Sequence, residues 1–298
     1  MAFSASEAAF EGFRLARRSP MTILIWAVLY IVMTVAILAL AGGSLAAFME
    51  QAQALETGGE PTPEQMAEFL GAYAAFMGAV GPISIVMSGV IYAAVNRAVF
   101  RPEEGAFGYL RLGMDELRVV VVYFALSILA AIFFGLLVAV GAVVVGVAAS
   151  AMGDSGWLLV IPAILAFIAV MTWVLVRFSL AIPITVAEKK FAIFESWSAT
   201  KGHFWGLLGM GLLAFVLTIV VQMLLTMVFM PIFFFGMGGF DNLEAISSMA
   251  PMEVFQTMLP LGISVLVYLG VLSALQLAIM YAPFAAAYRD IRGGQVSA

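Results

Sequence analysis

Long apolar runs dominate this chain and predict its architecture. A helix needs about 20 consecutive apolar residues to cross the hydrocarbon core of a bilayer. Runs of that length or longer occur at residues 21–42, 69–99, 119–148, 157–186, 204–235 and 255–287. The longest of them must tilt, kink or extend beyond the bilayer. We therefore predict an all-α membrane protein with six transmembrane helices, in a single polytopic domain over residues 1–298.

The composition agrees with a chain whose main solvent is lipid. Hydrophobic residues make up 64% of the sequence, charged residues make up 10%, and the mean hydropathy is +1.11. In a typical soluble domain, charged residues make up about 25%. Cysteine is absent, which excludes disulfides, thiolate nucleophiles and cysteine-ligated metal sites. The chain has no basic stripe suited to nucleic acid, so we expect membrane lipids, and not nucleic acid, as partners.

The distribution of charge predicts the orientation in the membrane. Twelve of the thirteen lysines and arginines lie in the N-terminal segment, the connections after the second and fourth runs, and the C-terminal segment. The opposite connections are acidic and contain neither lysine nor arginine. The first of these, residues 43–68, is expected to be a solvated cap that leads into the second helix. Because basic residues favour the cytoplasmic side, both termini are predicted to be cytoplasmic, in a bacterial inner membrane.

A repeated pattern precedes each odd-numbered run. The three segments read FEGFRLARRSPM (10–21), FGYLRLGMDELR (107–118) and FESWSATKGHFW (194–205). Aligned at the first phenylalanine, they place apolar or small residues at offsets 0, 3, 6 and 10, which share one face of a helix. We predict three short cytoplasmic amphipathic helices at the membrane interface, with the first phenylalanine of each turned inward. The proposed interfacial anchors are Phe10, Phe13, Phe107, Leu110, Phe194 and Trp197.

The positions of the prolines support the same repeat. Prolines occur in pairs 20 to 23 residues apart, within the even-numbered runs and near their basic ends: Pro82 and Pro102, Pro162 and Pro183, Pro260 and Pro283. We predict three parallel two-helix repeats, at about residues 1–100, 101–190 and 191–298, each preceded by an interfacial helix. Copies that contain two spans each share one orientation.

The only histidine of the chain lies in the third repeated segment. His203 has Lys201 and the rings of Phe204 and Trp205 as sequence neighbours, so it is a candidate for either catalysis or anchoring. Without a second histidine or a cysteine, a zinc site of a familiar type cannot form. We interpret His203 and Trp205 as membrane-interface anchors, and we expect Lys201 to contact lipid phosphate.

The strongest candidate for function is an ionisable residue within a span. Arg177 lies in the fourth run and stays protonated even when it is partly buried. It either reaches the headgroups or a backbone carbonyl, or it faces the bundle and binds a lipid phosphate or another anion. Asn96 and Gln276 complete the candidates for an anion or lipid site with Arg177 and Lys201, although interhelical hydrogen bonds also account for these amides.

Sequence motifs do not point to an enzyme. The runs contain no carboxylate pair, and neither a metal-ligand motif nor a phosphate-binding loop is present. We therefore expect no catalytic residues, no metal and no cofactor. Gly135, Gly141 and Gly146 in the third run, and Gly206, Gly209 and Gly211 in the fifth, instead predict close approach between helices.

Two stretches resemble a family. RFSLAIPITVAEKKFAIFESWSATKGHFWGLL (177–208) and AAAYRDIRGG (285–294) resemble bacterial six-span proteins similar to the membrane domain attached to some glycerophosphoryl diester phosphodiesterases. In that family the phosphodiester chemistry belongs to a separate soluble domain, to which no stretch of these residues is similar. The resemblance implies a role near membrane lipids or the cell envelope and does not imply hydrolase activity.

Two classes of function fit these observations. The first is a non-enzymatic accessory or scaffold module associated with lipids or the envelope, with a possible membrane-protein partner or a second copy of the chain. The second is a transporter or channel for a small, anionic or lipid substrate. A transporter should contain a polar cavity that Arg177 and Asn96 face, whereas a module should have a dry, packed interior.

Overall fold

A computed structural model describes residues 4–57, 61–152, 158, 160–236 and 251–296, and these residues are helical or in turns, without a β-strand. The helices are α1 (Ala5–Ala9), α2 (Glu11–Arg18), α3 (Pro20–Thr57), α4 (Pro63–Phe100), α5 (Met114–Met152), α6 (Val160–Phe178), α7 (Ala181–Glu188), α8 (Glu195–Ala199), α9 (Phe204–Gly236) and α10 (Pro251–Val296). Six segments are long and apolar enough to cross a membrane, with α6 and α7 forming one of them. The predicted multi-pass, all-α architecture is confirmed at this level.

The first connection is shorter than the sequence predicted. Helix α3 continues to Thr57 and α4 begins at Pro63, so most of the expected cap at 43–68 is helix, and that prediction is wrong. The ring of Phe48 lies 5.3 Å from Phe69 and stacks on Phe76 at 6.0 Å. These aromatic contacts hold the two helices together and let both extend past the length of a span.

A local sequence motif stabilises the N-terminus of α4. The Thr62 hydroxyl accepts a hydrogen bond from the Gln65 backbone N–H at 3.2 Å, and the Gln65 side chain accepts one from the Thr62 N–H at 3.0 Å. This reciprocal pair is a capping box, which satisfies backbone donors at a helix N-terminus.

Helix α10 lies at the centre of the bundle. It packs against α3, α4 and α9 and also contacts α1, α2 and α7. Its buried face carries alanines at helical spacing, namely Ala274, Ala278, Ala282 and Ala285, each fully buried. Small side chains let helix backbones approach closely inside a membrane, which explains how one helix can contact so many neighbours.

The N-terminal helices pack onto the bundle. Gly12 of α2 lies against the backbone of Ala278 and Ile279 in α10. Leu15 is fully buried, and the Arg18 guanidinium donates to the Ala98 carbonyl of α4 at 2.9 Å. These contacts place the N-terminal segment at the end of the bundle that also holds residues 101–113 and 189–203. We call this end the basic end.

The second repeated segment does not form the helix predicted over 107–118, and that prediction is wrong. Residues 106–109 form a 3₁₀ turn in which Phe107, Gly108 and Tyr109 all have left-handed φ angles of 53–67°. The buried Trp26 indole donates to the Gly108 carbonyl at 2.8 Å, and the Tyr109 hydroxyl donates to the Pro102 carbonyl at 3.0 Å. Contacts with distant residues therefore override the local helical periodicity.

The three leading phenylalanines do not turn toward the protein interior. Phe10, Phe107 and Phe194 are 44%, 75% and 69% exposed, so the expected inward orientation is wrong. The third segment forms only the five-residue helix α8 before Gly202 turns the chain with a φ of +79°. Exposure leaves these rings free to meet lipid, and their role as membrane-interface anchors stays a prediction.

Candidate functional site

The fourth span is broken where it approaches the basic end. Helix α6 ends at Phe178 and α7 begins at Ala181. Pro183 accounts for the break, because proline has no backbone N–H and its ring clashes with the carbonyl four residues earlier, here that of Ser179.

A side chain from α8 satisfies the backbone groups that this break releases. The Ser196 hydroxyl donates to the Arg177 carbonyl at 2.7 Å and accepts from the Leu180 N–H at 3.1 Å. Ser196 is fully buried, so water cannot replace it. The hydroxyl thus fixes α8 against the broken span.

Replacing Ser196 with alanine should lower the free energy of unfolding by about 1–3 kcal/mol, since a buried N–H and a buried carbonyl lose their partner. Thermal unfolding in detergent micelles measures this loss. Ser198→Ala is the matched control, because that exposed hydroxyl bonds only the Glu195 carbonyl of its own short helix. Equal stability of the two variants would contradict the bridging role of Ser196.

Beside the broken span lies a cavity of about 700 Å³, within the range of small-molecule sites. Spans two, three, four and six and helix α8 form its wall, and most wall residues are apolar or aromatic. They are Tyr92, Asn96, Tyr123, Leu126, Ser127, Leu129, Ala130, Phe133, Trp173, Val174, Leu175, Phe178, Ser179, Ile182, Pro183, Phe194, Trp197, Met280, Tyr281 and Phe284. We call this space the aromatic cavity.

A few polar groups lie in the wall of the aromatic cavity. The Tyr92 hydroxyl donates to the Tyr281 hydroxyl at 2.9 Å, and the Tyr123 ring packs edge-on against Tyr92 at 5.1 Å. The Asn96 amide donates to the Tyr92 carbonyl at 2.8 Å. Its buried oxygen has no hydrogen-bond partner among the described residues. The wall is thus apolar with a small polar patch on spans two and six.

The aromatic cavity is open at the surface of the bundle. Two of its wall residues, Leu175 and Phe194, are 60% and 69% exposed. Spans three and four, which flank this opening, carry many further exposed apolar side chains, including Ile128, Ile132, Ile168 and Val170. In a multi-pass membrane protein, such surfaces face the acyl chains of lipids, so the opening is suited to admit an apolar molecule sideways.

Arg177 lies behind the aromatic wall and is not one of the residues that line the cavity. Its guanidinium carbon is 5.7 Å from the ring centres of both Trp173 and Trp197, which is within cation–π range. One terminal nitrogen donates to the Thr200 hydroxyl at 3.4 Å. The buried Nε has no partner in the described part of the chain, so Arg177 retains an unused donor.

The other sequence candidates lie in separate places. Gln276 donates to Gln222 of the fifth span at 3.2 Å, as expected of an interhelical hydrogen bond. Asn96 instead bonds within its own helix. Lys201 is exposed in the turn after α8, where its carbonyl lies 3.1 Å from the His203 ring nitrogen. The structure does not gather Arg177, Lys201, Asn96 and Gln276 into one site. Trp205, at the start of α9, is 80% exposed.

A buried ion-pair network at the basic end is the feature that sequence reasoning missed. Arg97 is 2% exposed, and its guanidinium donates to the buried Glu116 carboxylate and, at 2.6 Å, to the Tyr109 carbonyl. Asp115 and Glu104 lie within 4.0 Å of the same guanidinium. The available signal was a cluster of opposite charges on either side of the connection between spans two and three.

A second polar cluster joins the ends of spans four and six. The Tyr288 hydroxyl donates to the Glu188 carboxylate at 2.5 Å, and Lys190 forms an ion pair with the same group at 2.8 Å. The hydrogen bond with Glu188 raises the pKa of Lys190 above its ordinary value. In the described ranges, histidine, aspartate and glutamate side chains do not assemble into a metal site.

Comparison with known proteins assigns no family, because no family model, curated protein or solved structure matches this chain.

Proposed function

We propose that this protein is a non-enzymatic, lipid-associated module of the bacterial inner membrane that holds the apolar part of a membrane lipid in the aromatic cavity. The observation that carries the proposal is the cavity itself, which has an apolar wall with exposed residues on spans three and four, such as Leu129 and Leu175. Its volume suits a ligand of moderate size, and such sites take most of their affinity from apolar contact. An accessory or scaffold role follows if the bound lipid positions the protein or a membrane-protein partner.

The arrangement in the membrane is part of the same proposal. We infer that both termini are cytoplasmic, because the basic residues concentrate at one end of the bundle. The division into three two-helix repeats and the resemblance to the phosphodiesterase membrane domain are retained as proposals. Association with a second copy of the chain would place another protein surface beside the exposed spans.

A transporter or channel for a small, anionic or lipid substrate is the second candidate. The break in span four favours it, because discontinuous helices line the substrate sites of many transporters. The character of the wall favours the lipid module over transport of a hydrophilic substrate. Asn96 lines the cavity, but the charged Arg177 does not, and aromatic side chains surround the space.

Filling the aromatic cavity tests the proposed function. Ala130→Trp should reduce the lipid that copurifies with the protein several-fold, because the indole occupies space that the lipid chain needs. Native mass spectrometry of the protein released from detergent measures the bound lipid. Ala131→Trp is the control, since Ala131 lies on the same helix, is exposed and does not line the cavity.

One outcome would contradict the proposed function, and another would favour the transporter. Equal lipid retention by the Ala130→Trp and Ala131→Trp variants would contradict a lipid in the cavity. Movement of a fluorescent lipid between leaflets of proteoliposomes, lost in the Ala130→Trp variant alone, would favour the transporter over the accessory module.

A further inference from the structure

A second concave site lies at the basic end of the bundle. This cleft has a volume of about 530 Å³ and is formed by the end of α4, by α7 and by α10. Its lining contains three arginines and no carboxylate: Phe100, Arg101, Ala187, Tyr288, Arg289, Arg292 and Gly293. We call it the arginine cleft.

The arginine cleft continues the aromatic cavity along the same three helices. Residues four apart lie one helical turn apart, about 6 Å, on one face of a helix. Three such pairs connect the two sites, with the cavity residue named first: Asn96 and Phe100, Pro183 and Ala187, Phe284 and Tyr288. A molecule whose apolar chain enters the cavity therefore has its polar end close to the arginines.

Nearby acids offset only part of the positive charge of the cleft. Asp115 lies 3.3 Å from Arg101, but it also pairs with two further arginines. Among the described residues, Arg289 forms an ion pair only with its sequence neighbour Asp290, at 3.4 Å. In the part of the chain that the structure describes, the exposed Arg292 has no ion pair within 4.0 Å, but it hydrogen-bonds with the Tyr288 side chain and its charge acts on Glu188. The remaining nearby carboxylate, Glu188, is already paired with a lysine.

We propose that the arginine cleft binds a phosphate group, supplied by a membrane phospholipid whose acyl chain occupies the aromatic cavity. Guanidinium groups donate paired hydrogen bonds to phosphate oxygens and remain charged at all physiological pH values. Basic pockets between membrane helices bind anionic headgroups in the same way. The choice of a phospholipid rests on the proposed function. A soluble phosphate ester carries the same group, and the experiment separates the two sources.

The experiment uses the full chain and an Arg289→Gln/Arg292→Gln double variant. Each is reconstituted in nanodiscs made from equal parts of phosphatidylcholine and phosphatidylglycerol, and native mass spectrometry measures which lipid stays bound. A second measurement follows the shift in Tm when inorganic phosphate is added in detergent. The double variant should lose about 30-fold in preference for phosphatidylglycerol, since each of the two arginines near the headgroups contributes about 1 kcal/mol.

Arg111→Gln is the matched control. Its side chain is 48% exposed, like that of Arg289, and it lies outside the cleft in an ion pair with Glu104. Loss of the lipid preference in the double variant alone supports a phospholipid. A phosphate-induced rise in Tm that disappears in the double variant, with unchanged lipid preference, supports a phosphate site for a soluble ester. If the double variant matches Arg111→Gln in both measurements, the proposal is overturned.

The cavity variant keeps this result separate from the proposed function. Ala130→Trp blocks the cavity and leaves the three arginines in place. If this variant loses its bound lipid but keeps the phosphate-induced rise in Tm, the lipid chain binds in the aromatic cavity and the phosphate group binds in the arginine cleft. If Ala130→Trp retains its bound lipid while the double variant loses its preference for phosphatidylglycerol, the proposed lipid in the aromatic cavity is contradicted. The phosphate site in the arginine cleft is then still supported.

Discussion

Replacing Glu116 with leucine is expected to destabilise the folded protein by about 3 kcal/mol. The substitution leaves the Arg97 guanidinium, which is 2% exposed, without its closest carboxylate. Removing one partner of a buried ion pair typically costs about 3–5 kcal/mol. We expect the lower end of that range, because Asp115 stays 3.9 Å from Arg97 and offsets part of the loss.

Thermal unfolding in detergent micelles measures this change, and two further variants control it. Arg111→Gln breaks an exposed pair with Glu104, at 2.9 Å, and should cost less than about 1 kcal/mol. The double variant Arg97→Met/Glu116→Leu should recover much of the stability, because apolar residues of similar volume can replace a buried pair. If Glu116→Leu unfolds no more readily than Arg111→Gln, Arg97 does not depend on its buried partner.

Replacing Gly12 with alanine is expected to displace the N-terminal helices from the bundle. A Cβ atom at position 12 would lie 2.4 Å from the Ala278 carbonyl oxygen and 2.5 Å from the Ile279 Cα. Both neighbours are backbone atoms of a long helix and cannot move aside as a side chain can. Overpacking of this kind lowers the free energy of unfolding by about 1–3 kcal/mol. We expect a value of about 3 kcal/mol, because the clashing atoms belong to the backbone.

The control for this prediction is another glycine-to-alanine change. Gly209 has no neighbouring atom within 4 Å of an added Cβ, and alanine favours a helix by about 1 kcal/mol over glycine. The two substitutions should therefore change the unfolding temperature in opposite directions. Hydrogen exchange should also quicken over residues 5–18 in the Gly12→Ala variant alone. Unchanged protection of these amides would show that α2 is not packed as described.

The six spans were predictable because hydropathy alone determines them. A run such as 204–235 has no stable alternative to a helix within lipid, where every backbone group needs a partner inside the chain. The ends of the spans were less predictable. Residues 43–57 are polar enough to read as a connection, yet the contact of Phe48 with the second span holds them in a helix.

Long-range contacts explain what the sequence did not reveal. The segment 107–118 has the periodicity of an amphipathic helix, but the indole of Trp26 and the guanidinium of Arg97 hold its carbonyls in a turn. Close packing was predicted at glycines of spans three and five, and it is wrong at Gly135, Gly141, Gly146 and Gly209, where no atom lies within 4 Å of an added Cβ. At Gly211 an added Cβ would meet the Phe284 ring at 3.7 Å, an ordinary contact. Local pattern does not show which glycine meets a neighbouring helix.

The candidate site was only partly predictable for the same reason. Asn96 was singled out as a polar group within a span, and it lines the aromatic cavity. Most of the wall consists of ordinary apolar and aromatic residues, which look alike along any membrane-spanning run. Their convergence depends on the broken span four and on its contact with α8 through Ser196, a serine that carries no local signal of this role.

The packing of α2 against α10 also constrains how the protein is made. Ala278 is synthesised roughly 270 residues after Gly12, a delay of about 15–50 s at normal rates of synthesis. Throughout that interval α2 can contact α3 and α4, but the surface around Gly12 lacks its partner on α10. Docking of α2 on α10 is therefore a late step in biogenesis, which follows synthesis of the earlier spans.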